Sequence, residues 1–208
     1  MSDRSLPGSI DWSTIRAVGL DLMDTILRDP FREAIFSVTG LTVEELEPLR
    51  DRNAFYEFEL GRLSESEYGR SFFLPESGRQ LDVEALWSAL EPRFEYLEGM
   101  EALLETVSAR MPLHVMSNYS PWYERLRERF GLDRFVTGHF PSFVIGARKP
   151  DATYYARVLE RAGLEPGELL FVDDRQLNVD GAQAAGMPAL LFRSGAGLAR
   201  VLEQLTES

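Results

Sequence analysis

A chain of 208 residues with 44% hydrophobic content can bury a substantial core, and its length suits one domain carrying a sizeable insertion. A net charge of −12 argues against nonspecific binding to nucleic acid or to an anionic membrane, because the long-range field repels phosphate polymers, and an anionic ligand would need local positive charge. With no cysteine and two histidines, His114 and His139, disulfides, thiolate metal sites and histidine-rich metal centres are excluded, so any metal would be held by oxygen.

No stretch approaches the roughly 20 apolar residues of a membrane-spanning helix. The polar start Met1 to Ser5 lacks the basic and apolar regions of a signal peptide, so a cytoplasmic setting is expected. The first predicted strand runs from about Ile15 to Asp21, apolar on both faces except at its last residue, as in a central parallel strand covered by helices. The turn that follows therefore starts at the carboxyl edge of a sheet, where ligands bind in open α/β folds.

From Phe31 to about Tyr96 the texture changes to acidic, aromatic-rich segments with helix-start signals and no strand pattern. Thr42 with Glu45 and Ser64 with Glu67 each fit a capping box, and Asp82 is a good N-cap for the apolar positions Leu86 and Leu90. The stretch Pro75 to Gln80 reads as a loop. After Gly99, helix and strand alternate. Met100, Leu103, Leu104 and Val107 share a helical face, Leu113 to Ser117 is a short strand, and a helix follows Pro121. Tyr155, Val158, Leu159 and Ala162 repeat the helical spacing, Leu169 to Val172 is an apolar strand, and a helix covers Leu177 to Ala185. The strand Ala189 to Phe192 and a helix with Leu198, Val201, Leu202 and Leu205 on one side close the chain. This alternation predicts an α/β fold, a Rossmann-like doubly wound parallel sheet core (residues 10–30 and 97–208) with a small helical cap (residues 31–96) inserted after the first strand.

Four groups sit where strands end: Asp21 with Thr25, Ser117 with Asn118, Lys149 before Pro150, and Asp173 with Asp174. A strand-end carboxylate beside two others is repelled by them unless a cation lies between, and the hard, oxygen-preferring choice is Mg²⁺. Lys149, the only lysine of the sequence, supplies a compact positive charge for a phosphoryl group, and Ser117 and Thr25 supply hydroxyl donors to its oxygens. Asp21 would attack phosphorus in line.

In this order and spacing, D-L-M-D-T-I-L at Asp21 to Leu27, M-S-N at Met116 to Asn118, R-K-P at Arg148 to Pro150 and F-V-D-D-R at Phe171 to Arg175 resemble the haloacid dehalogenase superfamily. The resemblance covers essentially the whole chain after Ile15 and extends to its small helical cap of the first type. It implies that Asp21 is the nucleophile, that Ser117 and Lys149 hold the transferring group, and that Asp174 holds magnesium with Asp173 beside it. The backbone carbonyl of Met23 is implied as a further metal ligand. The stretches M-D-T-I-L-R-D-P-F, S-N-Y-S-P-W-Y, I-G-A-R-K-P-D and F-V-D-D-R with Asn178 are similar to a subgroup that includes the plastid flavin mononucleotide hydrolases of plants. Flavin mononucleotide is thus a candidate substrate.

The chain departs from the superfamily pattern at Met23. Phosphatases of this kind place a second aspartate two residues after the nucleophile, to protonate the leaving alkoxide and then activate water; a thioether does neither. Losing a positioned general acid/base costs about 10²- to 10⁴-fold in rate. Asp24, at a position usually filled by glycine, Asp173 or a cap carboxylate such as Glu57 are the substitutes on offer. The expected function is a Mg²⁺-dependent phosphomonoester hydrolase acting on a small phosphorylated substrate, with neither nucleic acid nor membrane as partner and a homodimer left open. The rivals are a dehalogenase-type hydrolase, in which a non-carboxylate at Met23 is normal, and a phosphate- and metal-binding regulatory protein without turnover.

Elsewhere the plainer readings are preferred. Arg148 reads as surface or as a residue behind the site, Asn178 as orienting the metal-side loop or starting a helix, and Tyr155 as core. Phe55, Tyr56, Phe58, Tyr68, Phe72 and Phe73 read as packing within the insertion. Tyr119 and Trp122, directly after the second motif, are better placed to touch substrate. His114, inside a strand, reads as structural.

Overall fold

The computed structural model describes residues 10–203; Met1 to Ser5 and Leu205 lie outside them. β1 (Ala17–Leu20) is followed by five helices, α1 (Phe31–Thr39), α2 (Val43–Leu46), α3 (Arg52–Glu59), α4 (Glu65–Ser71) and α5 (Val83–Leu90). Helices and strands then alternate: α6 (Met100–Ser108), β2 (Leu113–Val115), α7 (Tyr123–Arg129), β3 (Val136–His139), α8 (Ser142–Ile145), α9 (Ala152–Ala162), β4 (Leu169–Asp173), α10 (Gln176–Ala184), β5 (Ala189–Leu191) and α11 (Gly195–Glu203). The strands form one sheet in the order β3-β2-β1-β4-β5. Every pair is parallel.

β1 is central because nothing in it needs water. All four residues are buried, and Val18 pairs with Leu113 on one side and Leu170 on the other. It is shorter than predicted, since Ile15 closes a 3₁₀ turn over Trp12–Thr14. Gly19 leaves room for the side chain of Met116, which follows the neighbouring strand β2: a Cβ there would lie 2.3 Å from Met116 Sδ. The two sheet faces carry separate apolar clusters. Ala17, Leu169 and Phe171 pack with Tyr154, Tyr155 and Val179 of α9 and α10. Val18, Leu20 and Val172 pack with Leu104 of α6, Leu198 of α11 and the insertion. Helices thus cover both faces, as the alternation predicts.

Sequence patterning misses β3. Only Val136 of its four residues is buried, because it is an edge strand with no apolar run to announce it. The helix expected straight after Pro121 begins at Tyr123.

Between β1 and α6 the described chain is helical, joined by isolated bridges such as Arg50 with Phe73. Both capping boxes form. The Glu45 N–H donates to Thr42 Oγ1 at 3.2 Å and the Thr42 N–H to Glu45 Oε2 at 2.9 Å; Ser64 and Glu67 repeat the exchange at 3.3 and 2.8 Å. Asp82 Oδ1 accepts from the Ala85 N–H at 2.9 Å. Phe58 stacks on Tyr68 with centroids 4.3 Å apart, and Trp122, from the sheet side, meets Phe58 edge-on at 5.2 Å. The packing of the insertion therefore runs into the core. Among the described residues no helix is long and apolar enough to cross a membrane.

Candidate active site

The turn after β1 is held by its own backbone. The Asp21 N–H donates to Val172 O of β4 at 2.9 Å, the Ile26 and Leu27 N–H groups converge on Leu22 O, and the Asp24 N–H donates to Leu27 O at 2.6 Å. This geometry puts Asp24 at φ +54°, the one described non-glycine residue in the left-handed region. Aspartate tolerates that region better than most L-residues. Asp24 Oδ1 accepts the Asp29 N–H at 3.0 Å, so its carboxylate braces the turn. Thr25 is fully buried, its Oγ1 has no hydrogen-bond partner among the described residues, and it is not on the wall of the adjoining cavity.

At the next strand ends, a single ammonium group joins two carboxylates. Lys149, the only lysine of the sequence, is 1% exposed, with Nζ 2.8 Å from Asp21 Oδ1 and 2.6 Å from Asp173 Oδ2. Burial opposes its charge, but the two carboxylates outweigh burial and raise its pKa. Burial pushes the Asp21 carboxyl up and Lys149 pulls it down, with the net direction upward. Asn118 fixes the lysine backbone from both sides: its Nδ2 donates to Lys149 O at 2.9 Å and its Oδ1 accepts the Lys149 N–H at 2.8 Å. Asp173 also accepts from Asn178 Nδ2, 3.0 Å from each oxygen, and from the Arg175 N–H at 2.8 Å. Tyr155, a core residue as expected, donates its hydroxyl to Asn178 O at 2.6 Å. Gly181 permits α10 to sit this close, since a Cβ there would lie 2.8 Å from Pro150 O.

Asp21, Asp173 and Asp174 offer oxygens within 4.8 Å of one another. Burial, and then the charges of Asp21 and Asp173, push the Asp174 carboxyl up to about 6. One lysine against three carboxylates leaves two negative charges unmatched, so the donor set fits a divalent, oxygen-preferring ion such as Mg²⁺.

A cavity of about 580 Å³ opens above this cluster, between the sheet edge and the insertion. Asp21, Met23, Ser117, Asn118, Lys149 and Asp174 are on its floor side, and Tyr56, Phe58, Tyr119 and Trp122 are among its remaining lining residues. Three buried N–H groups, Arg50 Nε, Trp122 Nε1 and Arg148 Nε, have no hydrogen-bond partner among the described residues. Arg148 is no mere surface residue. Its Nη2 lies 2.8 Å from Glu59 Oε2 and its guanidinium sits 4.0 Å from the Tyr56 ring centroid. Burial raises the Glu59 carboxyl to about 7 despite Arg148. Ser142 Oγ donates to Glu59 O at 2.6 Å and accepts the Tyr119 N–H at 3.0 Å.

The structure thus gathers Asp21, Ser117, Asn118, Lys149, Asp173 and Asp174, and puts Tyr119 and Trp122 on the cavity wall. Glu57 is elsewhere: it pairs with Arg62 Nη1 at 3.0 Å and does not line the cavity. Positions two apart on a helix face roughly 200° apart, so Glu59, unremarked in the sequence, holds the inward place. Its only signal was the alternation of Glu with aromatics at the end of α3. Of the insertion aromatics, Phe72 and Phe73 are buried packing residues, as expected, while Phe55, Tyr56, Phe58 and Tyr68 also line the cavity. His114 is buried against Phe140, with centroids 5.3 Å apart, as a structural histidine would be.

The class of architecture is a Rossmann-like parallel sheet with a helical insertion after β1 and a carboxylate cluster at its carboxyl edge. The chain belongs to the haloacid dehalogenase-like hydrolase family, whose model matches residues 15–186. It is 36% identical over 186 residues to flavin mononucleotide hydrolase 1 of the Arabidopsis thaliana chloroplast, covering 89% of this chain and 75% of that protein. Among solved structures it is similar to a HAD-like family hydrolase from Porphyromonas gingivalis (TM-score 0.76, 24% identity, 94% of this chain and 99% of that one). A HAD family enzyme from Bacteroides thetaiotaomicron, solved with magnesium and inorganic phosphate, shares the fold at TM-score 0.73 and 17% identity, over 87% of this chain and 96% of the other.

Proposed function

We propose that the protein is a Mg²⁺-dependent phosphomonoester hydrolase, working in the cytoplasm on a small phosphorylated metabolite through a phosphoaspartate at Asp21, with the insertion between residues 31 and 96 as its substrate-selecting cap. The observation that carries this reading is the buried Lys149 shared by Asp21 and Asp173 with Asp174 in reach. Lys149 takes up Asp21 Oδ1 and leaves Oδ2 as the attacking oxygen. As negative charge builds on the phosphoryl oxygens, the Lys149 ammonium and Ser117 hydroxyl meet it in a buried site, where such contacts are strong. Asp21, Asp174 and the Met23 carbonyl would hold Mg²⁺, which neutralises phosphate charge when bound.

Flavin mononucleotide is the candidate substrate. The cavity is lined by aromatic side chains and by residues whose buried N–H groups lack partners among the described residues, which supports a flat ring system bearing carbonyl and ring-nitrogen acceptors. The similar chloroplast protein carries that activity in its name. A carbon–halogen hydrolase has no use for three adjoining carboxylates. A binding protein without turnover is favoured by one observation, Met23 on the cavity wall.

Orthophosphate release from 4-nitrophenyl phosphate and from flavin mononucleotide, with Mg²⁺ and with chelator, tests the proposal. Release that depends on Mg²⁺ is expected. Silence with both substrates, together with activity in Met23→Asp, would leave only the binding role.

A further inference from the structure

We propose that Glu59, on the insertion, is the general acid and base of this site, in place of the aspartate that Met23 displaces. The inference rests on the phosphatase reading above and adds the group that completes its cycle.

Six carboxylates line the cavity: Asp21, Asp24, Asp29, Glu47, Glu59 and Asp174. Asp21 and Asp174 belong to the nucleophile and metal cluster. Asp24 braces the turn through the Asp29 N–H, and Asp29 in turn accepts the Phe31 N–H at 2.9 Å. Glu47 is bound by two arginines, Arg50 Nη2 at 2.7 Å and Arg52 Nη2 at 2.6 Å, which hold it in its charged form. Asp173, off the cavity wall, is occupied by Lys149, Asn178 and Arg175. That leaves Glu59.

Its position suits proton transfer. It is 6% exposed, its backbone is tied to the sheet side through Ser142, and Oε2 is buried against Arg148. Oε1 is the oxygen left to carry a proton. The charged and titratable groups facing it are Arg148 before α9, Arg175 before α10, Asp21 after β1, and the phenols of Tyr68 and Tyr119. Burial favours the neutral acid, as does Asp21, and the arginines favour the anion. The result, near 7, is where a group that must both give and take a proton works best.

The cycle balances. Asp21 Oδ2 bonds to phosphorus as the P–O bond to the leaving group breaks, and the Glu59 proton passes to the departing alkoxide to give the alcohol. The Glu59 carboxylate then takes a proton from water as the water oxygen bonds to phosphorus. The P–O bond to Asp21 breaks, orthophosphate leaves, and Glu59 is again the acid.

The test is Glu59→Gln in the full chain with Mg²⁺, assayed on flavin mononucleotide, an alkyl ester, and on 4-nitrophenyl phosphate, whose leaving group needs no acid. Turnover of the alkyl ester is expected to fall about 10²- to 10⁴-fold. The aryl ester is expected to give a rapid burst of one nitrophenolate per site followed by slow turnover, because Asp21 still attacks but water is no longer activated. The double variant Glu59→Gln/Met23→Asp is expected to recover turnover, which guards against a mere folding defect. Glu59→Gln turning over both esters within about threefold of the parent would overturn the inference and leave the phosphatase reading intact. So would equal loss on both, with no burst and no rescue. An inactive parent with both esters would instead overturn the phosphatase reading itself.

Discussion

The floor and the roof of the cavity carry charge in different ways. On the floor, Lys149, its backbone held by Asn118, is wedged between two carboxylates, of which Asp173 is fixed by the Arg175 N–H and by Asn178. On the roof, one pair, Arg148 with Glu59, spans sheet and insertion, and three cavity-lining residues carry buried N–H groups without partners among the described residues. On the proposed function, the floor is preorganised for a fixed chemical group, a phosphoryl, and the roof is completed by a variable one. On the proposed roles, attack on phosphorus belongs to the floor and proton transfer and selectivity to the roof, and each can be perturbed alone.

The largest expected effect comes from removing the floor's cation. Lys149→Met leaves Asp21 and Asp173 buried without their partner, which costs about 3–5 kcal/mol of stability and abolishes phosphate release; denaturant unfolding and a phosphate assay check both. On the roof, Glu59 gives a stability signature of its own. Its carboxyl is raised from the ordinary 4.5 to about 7, so the folded state binds the proton more tightly than the unfolded one. The stabilisation is complete below pH 4.5 and is lost as pH rises through 7, a change of about 3 kcal/mol. The difference in unfolding free energy between the parent and Glu59→Gln, measured from pH 4.5 to 8, should trace that loss.

Smaller effects sharpen the contrast. Trp122→Phe keeps the ring packed against Phe58 and removes the unpartnered indole N–H. It is expected to raise KM for flavin mononucleotide several-fold, the equivalent of about 0.5–1.5 kcal/mol, without changing kcat on 4-nitrophenyl phosphate. Of similar size, Asp24→Ala loses the brace on the Asp29 N–H and keeps an unfavourable φ, for a cost of about 1–2 kcal/mol. Asp24→Gly loses the brace but relieves the backbone, and should unfold closer to the parent. If both substitutions abolish turnover while folding normally, Asp24 and not Glu59 handles the proton.

Most of the floor was legible in the sequence because strand-end residues follow apolar runs: Asp21 after A-V-G-L, Ser117 after L-H-V-M, Asp173 at the end of L-L-F-V. The helix starts of the insertion were legible through Thr42, Ser64 and Asp82, whose capping is local. The roof was not, because its geometry depends on contacts far apart in the chain. Ser142 reaches Glu59 across 83 residues, and nothing local distinguishes Glu59 from Glu57 except helical phase. β3 was hidden for a related reason, an edge strand being defined by its neighbour β2 and not by its own apolarity. Asp24 shows the reverse case: a residue read as a candidate catalyst is held by the turn's backbone demand.

Lys149 has a practical consequence as well. Because the sequence contains a single lysine, an amine-acylating reagent meets one ε-amine per chain, and that amine is sealed between two carboxylates in the folded site. Its labelling rate therefore clocks how often the floor opens, and a phosphate mimic or Mg²⁺ that closes the site should slow that clock without any label or probe being engineered in.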